Sequence, residues 1–74
     1  MSKPTRITNS IRALRFARGE MTQAELAQRI GVTRQTIIAI EQGRYSPSLE
    51  VAFQIARVLK VPLDDVFRYP EGDP

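Results

Sequence analysis

The chain contains no cysteine and no histidine. Without cysteine, neither a disulfide nor a thiolate-bound metal can staple a small fold. Without histidine, the commonest general base and the commonest metal ligand are missing together, which argues against most enzyme chemistry. No triad, metal cluster or phosphate loop is visible in the sequence. The chain is therefore read as not an enzyme, with no cofactor and no small-molecule ligand expected. No apolar run approaches the roughly 18 residues of a membrane span. The start, Met1-Ser2-Lys3-Pro4, lacks the apolar stretch of a signal peptide, so a soluble cytoplasmic protein is expected.

What is present is short and unevenly charged. With 74 residues, one domain is the ceiling. A chain of this size buries only roughly 60% of its unfolded surface, so it must pack efficiently or oligomerise. Residues 1–48 hold eight bases (Lys3, Arg6, Arg12, Arg15, Arg18, Arg29, Arg34, Arg44) against three acids (Glu20, Glu25, Glu41). Residues 49–74 hold three bases (Arg57, Lys60, Arg68) against five acids (Glu50, Asp64, Asp65, Glu71, Asp73). Nine of the eleven positive side chains are arginine, which suits bidentate contact with phosphate or guanine. A basic first two-thirds suggests a polyanionic partner.

Helix stop and start signals divide the chain. Residues 5–8 are a short β-compatible stretch around Ile7. Asn9 or Ser10 can cap a first helix over 10–18, with Ile11, Leu14 and Ala17 on its apolar side and Gly19 ending it. Thr22 opens a second helix, and Glu25 three residues later completes a capping box. Leu26, Ala27 and Ile30 form its inner face, and Gly31 ends it with access to positive φ. Thr33 caps a third helix that runs to about Gln42, where Gly43 stops it. Ser48 caps a fourth over 49–60, Pro62 breaks it, and 63–67 fits one more turn. Asp64 and Asp65 are adjacent, so their side chains point about 100° apart and balance the helix dipole better than they share chemistry. Residues 70–74 read as a frayed tail after a domain over 1–69.

The segment from Gln23 to Gln42 carries the functional signal. The third helix begins two residues after the second one ends, and a turn that short forces the two to cross steeply. Small Ala27 permits close approach, Gly31 permits the turn, and Val32, Ile37 and Ile40 fill the space between. With about 100° per residue and Arg34 set at zero, Ile37 falls at about 300° and Ile40 at about 240°. Ile38, Gln35 and Ala39 then fall at about 40°, 100° and 140°, away from the core, with Arg34 at the edge of that face. These residue types match what base edges demand. Arginine pairs with guanine, glutamine pairs with adenine, and an aliphatic group covers a thymine methyl.

The run Gln23-Ala24-Glu25-Leu26-Ala27-Gln28-Arg29-Ile30-Gly31-Val32-Thr33-Arg34-Gln35-Thr36-Ile37 resembles the Cro and lambda-repressor-like helix-turn-helix family, also called the xenobiotic-response-element family. Ile40-Glu41-Gln42-Gly43-Arg44-Tyr45-Ser46-Pro47-Ser48-Leu49 resembles it equally, as does Ile55-Ala56-Arg57-Val58-Leu59-Lys60-Val61-Pro62-Leu63-Asp64-Asp65-Val66-Phe67. The likeness covers about 11–67 and is greatest to short stand-alone bacterial members, which lack a sensing domain. It implies an all-α, five-helix DNA-binding domain. Some short members add a two-stranded sheet, here about 6–8 with 67–69. It also implies base contacts from Arg34, Gln35 and Ile38, to which the outward position of Ala39 is added. It places Gln23, Thr33, Arg44 and Tyr45 at phosphates, and Thr36 is grouped with them. Arg15 and Glu41 are paired as a structural ion pair. Ile38 and Ala39 are less polar than is common there, so they either pack on a thymine methyl or sit exposed.

The function expected is that of a sequence-specific double-stranded DNA-binding transcriptional regulator, a repressor, acting as a homodimer on a near-palindromic operator. Val58, Leu63, Val66 and Phe67 exceed what one tiny core needs and are assigned to the dimer surface. The other reading is a protein-interaction adaptor or antitoxin-type module on the same fold, which would need a large apolar docking patch. The outer face of the third helix is mixed instead.

Overall fold

The computed structural model describes residues 5–70. Their order is β1 (Thr8–Asn9), α1 (Ile11–Ala17), α2 (Gln23–Ile30), α3 (Arg34–Glu41), α4 (Leu49–Leu59), α5 (Leu63–Val66) and β2 (Phe67–Arg68). The expected five helices and the small sheet are both there. Of the tail expected over 70–74, residues 71–74 lie outside the described part of the chain.

Local side-chain caps set most of the boundaries. Thr22 Oγ1 accepts the Glu25 N–H at 3.0 Å, while the Thr22 N–H donates to Glu25 Oε1 at 2.9 Å. Both halves of the capping box are thus made. Thr33 Oγ1 caps α3 through the Thr36 N–H, and Ser48 Oγ caps α4 through the Val51 N–H, each at 3.2 Å. Gly31 closes α2 at φ 82°, with its N–H bonded to the Ala27 carbonyl.

Other boundaries differ from expectation for non-local reasons. Helix α1 is shorter than 10–18, and its start is tied by neighbours. Asn9 Oδ1 accepts the Ile11 N–H, and the Ser10 N–H donates to the Val66 carbonyl at 2.9 Å. Helix α4 stops at Leu59 because Lys60 itself turns left-handed, at φ 61°, without help from glycine. The sheet pairs Thr8 with Arg68 and Asn9 with Phe67, antiparallel. The first strand therefore sits later than 6–8, and Phe67 belongs to β2 rather than to the last helix.

The core draws on every helix. Ile11, Leu26, Ile37, Ile40, Ile55, Leu59 and Val66 are its large fully buried side chains. Two expectations are corrected here. Ala17 is exposed, and the inner stripe of α1 holds Arg15 instead, one turn after Ile11. Val66 is 0% exposed and fills the core, so it cannot belong to a dimer surface. A core this small uses even its last short helix as a wall.

The turn at Gly31 yields a test. An added Cβ there meets no atom within 4 Å, so only the left-handed backbone opposes a side chain. Gly31→Ala is expected to lower stability by about 1–2 kcal/mol in urea unfolding. The folded fraction should keep its helix content.

Candidate nucleic-acid interface

The corner between α2 and α3 sorts the side chains of α3 into two faces. Ile37 and Ile40 are 0% and 2% exposed and lock the helix to the core. Arg34 and Gln35 are exposed, while Ile38 and Ala39 are half-buried on the outer side. Among the described residues, no ion pair engages Arg34, and the one ion pair present joins Arg15 to Glu41. The outer face thus carries an exposed guanidinium and an exposed amide beside two half-buried aliphatic groups. An open groove of ≈ 1100 Å³ runs from this first turn of α3 to the starts of α1 and α2. Arg12, Phe16, Gln23, Arg34 and Gln42 are among its lining residues.

The helix starts facing this region are organised by hydroxyls. The Thr33 and Thr36 hydroxyls lie 3.0 Å apart, so the two expected phosphate contacts share one hydrogen bond. Past α3, the Gly43 N–H returns to the Ile40 carbonyl and the Arg44 N–H to the Ala39 carbonyl, at 3.0 and 2.9 Å. These bonds fold the loop back on the helix. They leave the Arg44 and Tyr45 side chains exposed beside its end.

Beneath the surface lies a charged anchor. Arg15 Nε donates to Glu41 Oε2 at 2.7 Å and Arg15 Nη2 to Glu41 Oε1 at 3.2 Å, a two-pronged pairing. Arg15 Nη1 donates to the Met21 carbonyl at 2.8 Å. The two charged side chains are 7% and 9% exposed. Gln23 Nε2 adds a 3.2 Å bond to Glu41 Oε1. Gln23, expected at a phosphate, is therefore half-buried and ties the start of α2 to the end of α3 as well. Among the described residues, no buried side-chain nitrogen or oxygen lacks a partner. That satisfaction makes a buried pair tolerable.

Asn9 is a positioning residue that sequence reasoning saw only as a cap. Its Nδ2 donates to the Ile40 carbonyl at 3.0 Å and to the Glu41 carbonyl at 3.4 Å. One amide thus caps the start of α1 and the end of α3 together. Nothing local in the sequence marks this, because the partners stand 31 and 32 positions away. Of the side chains assigned to a dimer surface, Val58, Leu63 and Phe67 are half-buried and pack against the core. Among the described residues, no cluster of acidic side chains is arranged to hold a metal ion, and no helix is long and apolar enough to cross a membrane.

Comparison with known proteins bears on this geometry. The profile of a family described as Helix-turn-helix matches residues 11–66. An uncharacterized HTH-type transcriptional regulator of Methanocaldococcus jannaschii is 51% identical over 53 residues, which span 72% of this chain and 80% of that protein. Another from Methanothermobacter thermautotrophicus is 62% identical over 48 residues, 64% of this chain and 70% of its own length. The cryptic phage CTXphi transcriptional repressor RstR of Vibrio cholerae is 37% identical over 59 residues, 80% of this chain but 52% of RstR. In fold, the crystal structure of a candidate DNA-binding protein from Bacteroides fragilis superposes with a TM-score of 0.73 at 24% identity. That match covers 84% of this chain and 98% of the other.

The anchor is testable by unfolding. Arg15→Met strands Glu41 and should cost about 3–5 kcal/mol, comparable to the whole stability of a chain this small. Replacing both partners, Arg15→Met with Glu41→Leu, should cost less than Arg15→Met alone. Urea titrations of the two variants compare them directly.

Proposed function

The chain belongs to the helix-turn-helix family, and from that premise we propose that it is a transcriptional repressor that binds a near-palindromic double-stranded DNA operator as a homodimer. It is a DNA-binding regulator and not an enzyme, as the regulator names of its relatives support. The name of RstR favours repression as the direction. The cytoplasm is where we place its action.

The observation that carries the reading is that Arg34 and Gln35 are exposed on the outer face of α3 while Ile37 and Ile40 are buried on its inner one. In this reading α3 lies in the major groove. Arg34 pairs with guanine, Gln35 with adenine, and Ile38 and Ala39 pack on thymine methyls. Thr33, Thr36, Arg44 and Tyr45 hold flanking phosphates and set the register. Gln23 joins them through the amide hydrogen that Glu41 does not take. Two copies place their recognition helices about 34 Å apart, in successive major grooves.

Selecting bound duplexes from a random pool identifies the operator and shows whether it is palindromic. On that operator, Arg34→Ala should lose about 1–3 kcal/mol of affinity and relax preference at one base position. Arg44→Ala should weaken binding to operator and random duplex alike, and flatten the dependence of affinity on salt. Fluorescence anisotropy titrations at several salt concentrations read both effects. Two variants that bind every duplex like the parent would refute the reading.

A further inference from the structure

Helix α4 buries Ala52, Ile55, Ala56 and Leu59 along one side. Its other side is exposed and is not simply polar. Leu49 is 74% exposed and Phe53 57%. Four residues apart, they stand one above the other as a single apolar ridge. Beside the ridge, a groove of ≈ 580 Å³ is bordered by Phe53, Ala56, Val61 and Leu63. Glu50 and Arg57 border the same groove and are both exposed. They lie seven residues apart, close to two full turns, so they share one strip about 10 Å apart along the axis. Neither takes part in the ion pair found among the described residues.

The order along this strip is acid, aromatic, base. Helix-dipole balance accounts for an acid early and a base late. It does not account for both flanking an exposed phenylalanine on a single face. The arrangement is self-complementary. A two-fold axis crossing α4 between Phe53 and Gln54 runs two copies of the helix antiparallel. Glu50 of each copy then meets Arg57 of the other, and the two Phe53 rings lie side by side at the centre, next to Leu63. A two-fold contact uses each of these charges twice, since residue i of one copy meets residue j of the other and the reverse.

We propose that the Leu49, Glu50, Phe53 and Arg57 face of α4 is the surface on which a second copy of this chain docks. The assignment rests on the dimeric DNA-binding reading above and names the surface it uses. It also revises the expected interface. Leu63 borders this face, whereas Val58 is on the opposite flank of α4, nearly half a turn away from Phe53.

Sedimentation of the full chain over a range of concentrations provides the test. The parent should dimerise, and Phe53→Asp should abolish dimers while keeping its circular dichroism spectrum. Glu50→Arg and Arg57→Glu each place like charges together twice, so each alone should weaken dimerisation at least about tenfold. An equimolar mixture of those two variants should form heterodimers of parental strength, since every contact then joins opposite charges. A defect confined to the monomer could not be cured by mixing. A parent that stays monomeric at every concentration, dimers indifferent to all three substitutions, or a mixture no stronger than its components would overturn the assignment. Binding of Phe53→Asp to a duplex carrying a single half-site separates the two claims. Retained binding shows that the α3 surface works without the contact. Failure of the parent itself to bind DNA would sink the functional reading, whatever its oligomeric state.

Discussion

The bidentate contact between Arg15 and Glu41 is the constraint from which the functional surface follows. Glu41 is the last residue of α3, and Arg15 lies on the inner stripe of α1. Their bond closes a polar bracket under the corner, joined by the Met21 carbonyl and the Gln23 amide. Ile37 and Ile40 fix which side of α3 faces the core, but apolar contacts carry no directional bond to set its rotation finely. A two-pronged guanidinium–carboxylate contact does set it, since both bonds must keep their geometry together. Asn9 holds the same helix end through its backbone carbonyls. The outward side chains of α3 therefore emerge in a fixed direction, as a surface that reads base edges must.

The division within α3 is sharp because the helix is short. Eight residues make little more than two turns. Ile37 and Ile40 anchor it, Thr33 and Thr36 settle its start, and Glu41 pins its end. What remains is Arg34, Gln35, Ile38 and Ala39. Of these four, Arg34 and Gln35 are exposed, and Ile38 and Ala39 are half-buried beside them.

Much of this was legible in the sequence, and what was legible is local. Helices α2, α3 and α4 announce themselves through Thr22 with Glu25, Thr33, Gly31 and Ser48, whose hydrogen bonds stay within a few residues. The inward and outward faces of α3 follow from helical periodicity in the same way. What escaped depends on distant partners. Ala17 looks like an inner residue until the carboxylate of Glu41 draws Arg15 inward, a pairing supplied by family resemblance and not by periodicity. The offset of β1 follows from the bond between Ser10 and Val66, and Val66 looks superfluous only until the smallness of the core is seen. Lys60 adopts the left-handed turn that glycine usually signals, so Pro62 marked the end of α4 one residue too late.

In the proposed reading, the outer face of α3 also sets how many copies are needed. Each well-made bidentate pair with a base is worth about 1–3 kcal/mol of discrimination. With Arg34 and Gln35 as the two proposed base contacts, one copy would separate right from wrong sites by roughly 2–6 kcal/mol at best. Useful operators stand about 4–10 kcal/mol above non-specific DNA. A single α3 falls in the lower part of that range, and lengthening it would lose the anchors at both of its ends. Doubling the surface by symmetry is the remaining route, and it leaves the corner untouched. That places the demand for self-association on whichever face is free of both core and DNA. Helix α4 begins directly after the loop of Arg44 and Tyr45, so its outer side is close in sequence to the reading surface and separate from it. On the proposed reading, recognition and pairing fall to consecutive helices with separate side chains, so that a change in one need not disturb the other.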